Sequence, residues 1–254
     1  FLTSATLSLA GTIFPLKAFS VGPASQIELS QLIYGGGNWR PRPTALRRLA
    51  WEIHKRCSID AALEPSEVKA QTKALSKSPI LYMSGDRSFY TWLEPQILAL
   101  RRFLKLGGTL IVDPADTIDG DYEGFETSMD ELMSQILPKI EPKSVNSSHV
   151  LFRTFYQIER PVGRILGPPN FTGYTLGDRL AVIRTHHDLG GAWARDNLGN
   201  WEYHVDPGGD KQRETAFRIG INLVLYALCL DYKNEEPHRR FGKEAEYWSL
   251  DISK

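Results

Sequence analysis

Three residues of catalytic type stand in succession in the stretch RTHHDLGGAW: His186, His187 and Asp188, directly behind the apolar run DRLAVI and ahead of Gly190, Gly191 and Trp193. An imidazole beside a carboxylate can move a proton or hold a metal ion, and a glycine pair lets the backbone approach a ligand closely. On an extended segment neighbouring side chains alternate, so one of the two histidines faces any given pocket and a joint clasp on one metal is disfavoured. The same residues also suit a structural turn, with Asp188 capping it and Trp193 filling the core.

Three further segments carry candidate chemistry. DPADTIDGDYEG holds Asp113, Asp116, Asp119, Asp121 and Glu123, but neither its spacing nor its distal residue is that of a calcium loop, and no metal is assigned. Asp113 differs from the rest because it closes an apolar strand, where burial shifts a carboxyl pKa and a histidine could pair with it. Asp113, His186, His187 and Asp188 are therefore the candidate catalytic residues. YGGGNWRPRP offers Tyr34, Gly36, Trp39 and Arg40 (with Arg42 behind) as an anion cradle and a stacking face for a sugar. It lacks the Lys-Ser/Thr ending of a phosphate loop and the spacing of a dinucleotide fingerprint. SGDRSF adds Gly85 and Asp86; its Ser84 has no nucleophile-elbow context. With Trp193, these form the candidate ligand-binding set, and Trp39, Asp86, Asp113, His186, His187 and Asp188 are expected to line one concave surface.

The elements that must position these loops follow from periodicity. QIELSQLIY, SPILYMSG, TLIVDP and GDRLAVIR read as strands. PTALRRLAWEIHKRC, EPQILALRRFLKLGG, ETSMDELMSQILPKI and RETAFRIGINLVLYALC read as helices. The second presents Ile97, Leu98, Leu100, Phe103 and Leu104 on one side, the third starts from a Thr/Ser cap, and the last has a face of Phe217, Ile219, Leu223, Ala227 and Leu230. Strands alternating with helices predict an α/β domain with a mainly parallel sheet covered on both faces, and ligands then sit outside the carboxyl ends of the strands.

Composition narrows the classes. Lys+Arg and Asp+Glu are 30 each in 254 residues, so no global field favours nucleic acid. Two cysteines, Cys57 and Cys229, exclude a disulfide framework and a Cys-rich zinc site; both fall in helical segments and read as small buried residues. Residues 1–20 resemble a signal peptide, with an apolar run from Leu2 to Leu16 and the site Ala18-Phe19-Ser20; the FL opening suits the part of a twin-arginine signal that follows its arginines. The organisation expected is this segment, a domain over 21–233, and a charged extension over 234–254 anchored by Tyr247 and Trp248. Export to the periplasm is expected, with membrane attachment only if the N-terminal segment is left uncleaved.

In order and spacing, YGGGNW, ILYMSGD, LRRFLKLGGTLIVDPAD, HVLFRTFY, DRLAVIRTHHDLGGAW and RIGINLVLYAL resemble the bacterial domain of unknown function 4159 family, from about Gln26 to Lys233. The resemblance implies a flavodoxin-like fold similar to class I glutamine amidotransferases and to trehalose-utilisation-type proteins. It implies no particular reaction. Where catalytic amidotransferases carry a cysteine elbow, this sequence has GGTLIVDPAD, ending at Asp113, so cysteine-based amidotransfer is not expected. The leading expectation is an exported, non-catalytic domain that binds a small ligand, carbohydrate among the candidates, or an envelope protein in the strand-end cleft, with no cofactor required. The alternatives are a His/Asp-dependent hydrolase or lyase, with or without one divalent metal, and a structural subunit of a cell-envelope assembly.

Overall fold

Successive strand residues point to opposite faces, so a strand covered on both sides must be apolar at nearly every position. The computed structural model, which describes residues 26–228, obeys this rule in its central strands. The chain runs β1 (Ser30–Ile33), α1 (Ala45–Cys57), β2 (Ser66–Lys69), β3 (Ile80–Gly85), α2 (Glu94–Lys105), β4 (Thr109–Pro114) and α3 (Tyr122–Ile136). It continues through β5 (Lys143–Val145), β6 (Phe171–Leu176), β7 (Arg179–Arg184), α4 (Leu189–Trp193) and α5 (Gly209–Leu228). Single 3₁₀ turns lie at Lys73–Ser76 and Val150–Arg153.

One seven-stranded sheet results, in the order β2-β1-β3-β4-β7-β6-β5. The strands from β2 to β7 in that order are mutually parallel, and β6 runs against both of its neighbours. Along β3 the alternation is explicit. Ile80 and Tyr82 join a core shared with α1, α4 and α5, whereas Leu81 and Met83 join a second core under α2 and α3. Each such buried aliphatic side chain contributes on the order of 1.5–3 kcal/mol. Helices thus cover both faces, as expected.

Several local expectations are corrected. Leu98 is 49% exposed, because the buried positions of α2 are Ile97, Leu100, Phe103 and Leu104 and it lies off that stripe. Helix α3 starts before the Thr/Ser cap, at Tyr122, with the Asp121 carboxylate accepting from Gly124 N. LGGAW is the helix α4, not a loop. Helix α5 is buried nearly all round from Ile219 to Ala227 rather than on one face. Strands β2, β5 and β6 were not foreseen. β6 and β7 form a hairpin through Gly177, whose φ of +62° is a conformation that disfavours residues with a Cβ. Cys57, the last residue of α1, is half-buried, and burial pushes its thiol pKa up. The signal-like segment, the C-terminal extension, Cys229 and Leu230 lie outside the described residues. Among the described residues, no helix is long and apolar enough to cross a membrane.

The chain leaves β1 for β2 on one side and β3 for β4 on the other, so strand order reverses between β1 and β3. At such a reversal the connecting loops diverge and a crevice opens outside the carboxyl ends.

Candidate ligand-binding cleft

The crevice has a floor and an opening, and they differ chemically. The floor begins at Asp113, fully buried at the end of β4. Its carboxylate accepts from Tyr82 Oη at 2.7 Å, Leu189 N at 2.9 Å, Gly190 N at 2.7 Å and the Thr185 hydroxyl. Burial, and then the nearby Asp188 charge, push the Asp113 pKa up against these donors. Asp188 has left-handed backbone (φ 51°) and caps α4 through Gly191 N. Its two oxygens take Arg42 Nε at 3.0 Å and Arg42 Nη2 at 2.5 Å, and Arg164 Nε joins them. Both guanidiniums also donate to the Asp116 carbonyl, which ties the loop after β4 to the same cluster. Arg42 stacks on Tyr203, with its guanidinium carbon 3.8 Å from the ring centre.

His187 is enclosed beside this cluster, under the segment that carries Arg164. It is fully buried, with Nε2 2.8 Å from the Pro168 carbonyl and Nδ1 against the carbonyl of Thr185. Burial lowers its pKa to about 4, so the ring is neutral at physiological pH. The Gly163–Pro168 segment can close over it because Gly163 and Gly167 have no Cβ; one added there would stand 2.1 Å and 2.4 Å from the carbonyls of His187 and His186.

Above the floor lies an open cleft of about 580 Å³. Asn38 and Arg42 come from the loop after β1, Asp86 and Arg87 from the loop after β3, and Asp116 to Asp119 from the loop after β4. Arg164, Glu202, Tyr203 and His204 close the opposite wall. Asp86 accepts from Asn38, Arg87 and Thr117; burial would raise its pKa, but these hydrogen bonds outweigh it and hold the carboxyl below its usual range. Glu202 accepts from Thr44 Oγ1 through one oxygen, at 2.7 Å. Asp119 and His204 are exposed at the mouth.

His186 faces elsewhere. Its backbone is also left-handed, at φ 60°, so THHD is not extended and the two imidazoles diverge for that reason rather than by strand alternation. Its Nδ1 lies 3.3 Å from Tyr122 Oη and 3.4 Å from Glu126 Oε2, and its Nε2 lies 3.1 Å from Thr172 Oγ1. Burial would raise the Glu126 pKa, but contacts with His186 and Arg184 hold it low.

The expected surface is therefore only partly assembled. Of the candidate residues, Asp86 lines the cleft; Asp188 lies directly behind it, bonded to the lining Arg42 and Arg164, and Asp113 and His187 are buried without lining it. The expected Asp113–histidine hydrogen bond is not formed, because Asp113 is engaged by Tyr82, Thr185 and the first amides of α4. Tyr34 donates to the Ser84 carbonyl, Trp39 packs on the second core, and Trp193 donates to the Ala216 carbonyl inside the first. Gly85 gives room to Tyr34 and Phe125, Gly36 (φ 88°) lies under Tyr90, and Arg40 pairs with Glu67 at the surface. Sequence reading passed over Arg164, Glu202, Tyr203 and His204. Their only advance signal was turn-rich composition, RPVGRILGPP and YHVDPGG. Among the described residues, no group of three or more His, Cys, Asp or Glu could hold a metal ion.

The profile of one protein family, described as Domain of unknown function (DUF4159), matches residues 28–228. No curated protein matches the chain.

Proposed function

The chain belongs to the DUF4159 family, and from that premise and the cleft geometry we propose that it is a non-catalytic binding domain whose strand-end cleft receives a small, hydroxyl-rich polar ligand such as a carbohydrate. One observation carries this reading: Asp113 and Asp188 are buried behind the cleft with their oxygens engaged by donors and His187 is enclosed as a neutral ring, while the cleft wall is open and polar. Asp113 has four donors, Asp188 two guanidiniums, and His187 a carbonyl at each nitrogen. Above them, Asn38, Arg87, Asp119, Glu202 and the Tyr203 ring present the mix of planar hydrogen-bonding groups and aromatic surface that suits sugar hydroxyls and C–H faces. The parallel order β2-β1-β3-β4-β7 supports a flavodoxin-like, amidotransferase-like ancestry in which the cleft is kept and the cysteine elbow is not. The apolar Leu2–Leu16 run and Ala18-Phe19-Ser20 support a place outside the cytoplasm.

The test is calorimetric titration against neutral, amino and acidic saccharides, repeated with Tyr203→Ala. Saturable binding by one class, weakened at least tenfold in the variant, is the expected result. Hydrolytic turnover of a glycan or amide that disappears in His187→Ala would overturn it. For location, mass spectrometry of the protein from its native host should find a mature chain starting near Val21.

A second reading, a hydrolase or lyase, is favoured by a single feature. His186 sits between the Glu126 carboxylate and the Thr172 hydroxyl, in the order of a proton relay. Esterase activity that vanishes in both His186→Ala and Glu126→Gln would select it.

A further inference from the structure

A second pocket, separate from the cleft, lies on the outward side of α1. We propose that it binds an oxyanion, a carboxylate or a phosphate monoester, carried on an apolar or aromatic body. Its volume is about 360 Å³, and its walls are Arg47, Arg48, Trp51, Leu63, Glu64 and Arg195, with the turn from Asp196 to Gly199 as a rim. Thr44, at the cap position of α1, separates the two sites: its hydroxyl donates to Glu202 on the cleft side and accepts from Arg195 N on the other.

Three guanidiniums face this pocket, and they are unequally balanced. Arg48 pairs with Glu52 beneath it, but its Nε is buried without a hydrogen-bond partner. Arg47 donates to the Asn197 side-chain oxygen at 2.6 Å, and Arg195 donates to the Gly199 carbonyl at 2.6 Å. Both acceptors are neutral, so each charge lacks a carboxylate contact among the described residues. Asp196, the carboxylate nearest in sequence, is turned into its own loop, where it accepts from Leu198 N, Asn200 N and Asn200 Nδ2. Glu64, the other carboxylate of the wall, forms no salt bridge with these arginines among the described residues, so the three guanidiniums outnumber the two wall carboxylates and keep unfilled donor capacity, the condition under which arginines take up an oxyanion.

The remaining wall argues for an attached apolar body. Trp51 and Leu63, both in the pocket wall, are 36% and 45% exposed and leave apolar surface open to a ligand. Trp51 is already held against the Arg48 guanidinium, 4.1 Å from its ring centre, and the Lys55 ammonium, at 4.7 Å. That contact fixes the indole in place before any ligand arrives, which lowers the entropy cost of binding.

The experiment is a titration of the whole protein, ¹⁵N-labelled and followed by its tryptophan indole N–H resonances, with phenyl phosphate, benzoate, inorganic phosphate and benzyl alcohol. The proposal expects a saturable shift of one indole with phenyl phosphate or benzoate. Inorganic phosphate should bind more weakly and benzyl alcohol should produce no saturable shift. Arg47→Glu, at a residue outside the cleft lining, should weaken binding at least tenfold, and raising NaCl from 50 to 500 mM should weaken it as well. The tighter of the two aromatic anions identifies the headgroup. Equal responses to benzyl alcohol and the anions, no saturable response to either anion, or unchanged affinity in Arg47→Glu would each overturn the proposal. None of these outcomes depends on what the strand-end cleft binds.

Discussion

The floor and the wall of the strand-end cleft are built from the same residue types, Asp, Arg and His, yet they are physically opposite. Behind the cleft, Asp113, Asp188 and His187 are fully or almost fully buried; donors meet the oxygens of both carboxylates, and the neutral His187 ring donates to one of the two carbonyls at its nitrogens. In the wall, Asp119 and His204 are exposed and Glu202 offers a second oxygen. A buried ionisable group must be satisfied by its own protein or the fold loses stability; an exposed one is satisfied by water and can exchange that water for a ligand. Position relative to solvent, not residue identity, separates scaffold from recognition here.

The sharpest way to break this comparison is Asp188→Ala. It leaves the Arg42 side chain, only 3% exposed, and Arg164 without their shared counter-charge. A loss of about 3–5 kcal/mol in urea unfolding is expected, and a loss below about 1 kcal/mol would show that the pair is not structural. Asp113→Ala comes next, because it orphans two amides and two hydroxyls in the interior. It should cost about 3–4 kcal/mol, with Asp113→Asn between it and wild type.

The third prediction concerns pH. The folded pKa of His187, about 4, lies below the ordinary value of 6.5. Between those values the unfolded chain binds the extra proton and the folded chain does not, so this contribution is fully present above pH 6.5 and is lost as pH falls toward 4. The loss amounts to about 3 kcal/mol. Unfolding measured from pH 7 to pH 4 should show that decline, and His187→Gln should flatten it. The smallest expected effect is in the wall: Asp119→Asn should alter stability by less than about 0.5 kcal/mol while changing ligand affinity in the calorimetric assay. A substantial stability loss there would erase the distinction between the two regions.

How legible the site was in the sequence varied with the range of the interactions involved. The loops after β1, β3 and β4 could be named because each follows an apolar run that ends in Gly, Asp or Pro, and the strand-end rule then brings them together. Asp113 could be singled out because it interrupts the apolar pattern of TLIVDP at its last turnward position. Its partners could not, since Tyr82 and Thr185 are 31 and 72 residues away. Arg164 was missed for the same reason: it meets Asp188 across 24 residues that include the β6–β7 hairpin, and its own surroundings, RPVGRILGPP, show no periodicity.

What the sequence determined by itself was local. The apolar runs and 3.6-residue periodicities specify buried strands and amphipathic helices, and their alternation specifies a mainly parallel sheet, because a strand-helix-strand unit returns in parallel. Short-range patterning does not encode how a side chain is oriented or what reaches it from elsewhere in the chain. Only the tertiary structure decided that Trp39 and Trp193 pack inward, that β6 inserts antiparallel beside β7, and that His187 is enclosed while His204 is open. Those outcomes depend on which long-range partner meets each donor, acceptor and apolar surface, and that is settled when the layers close on one another.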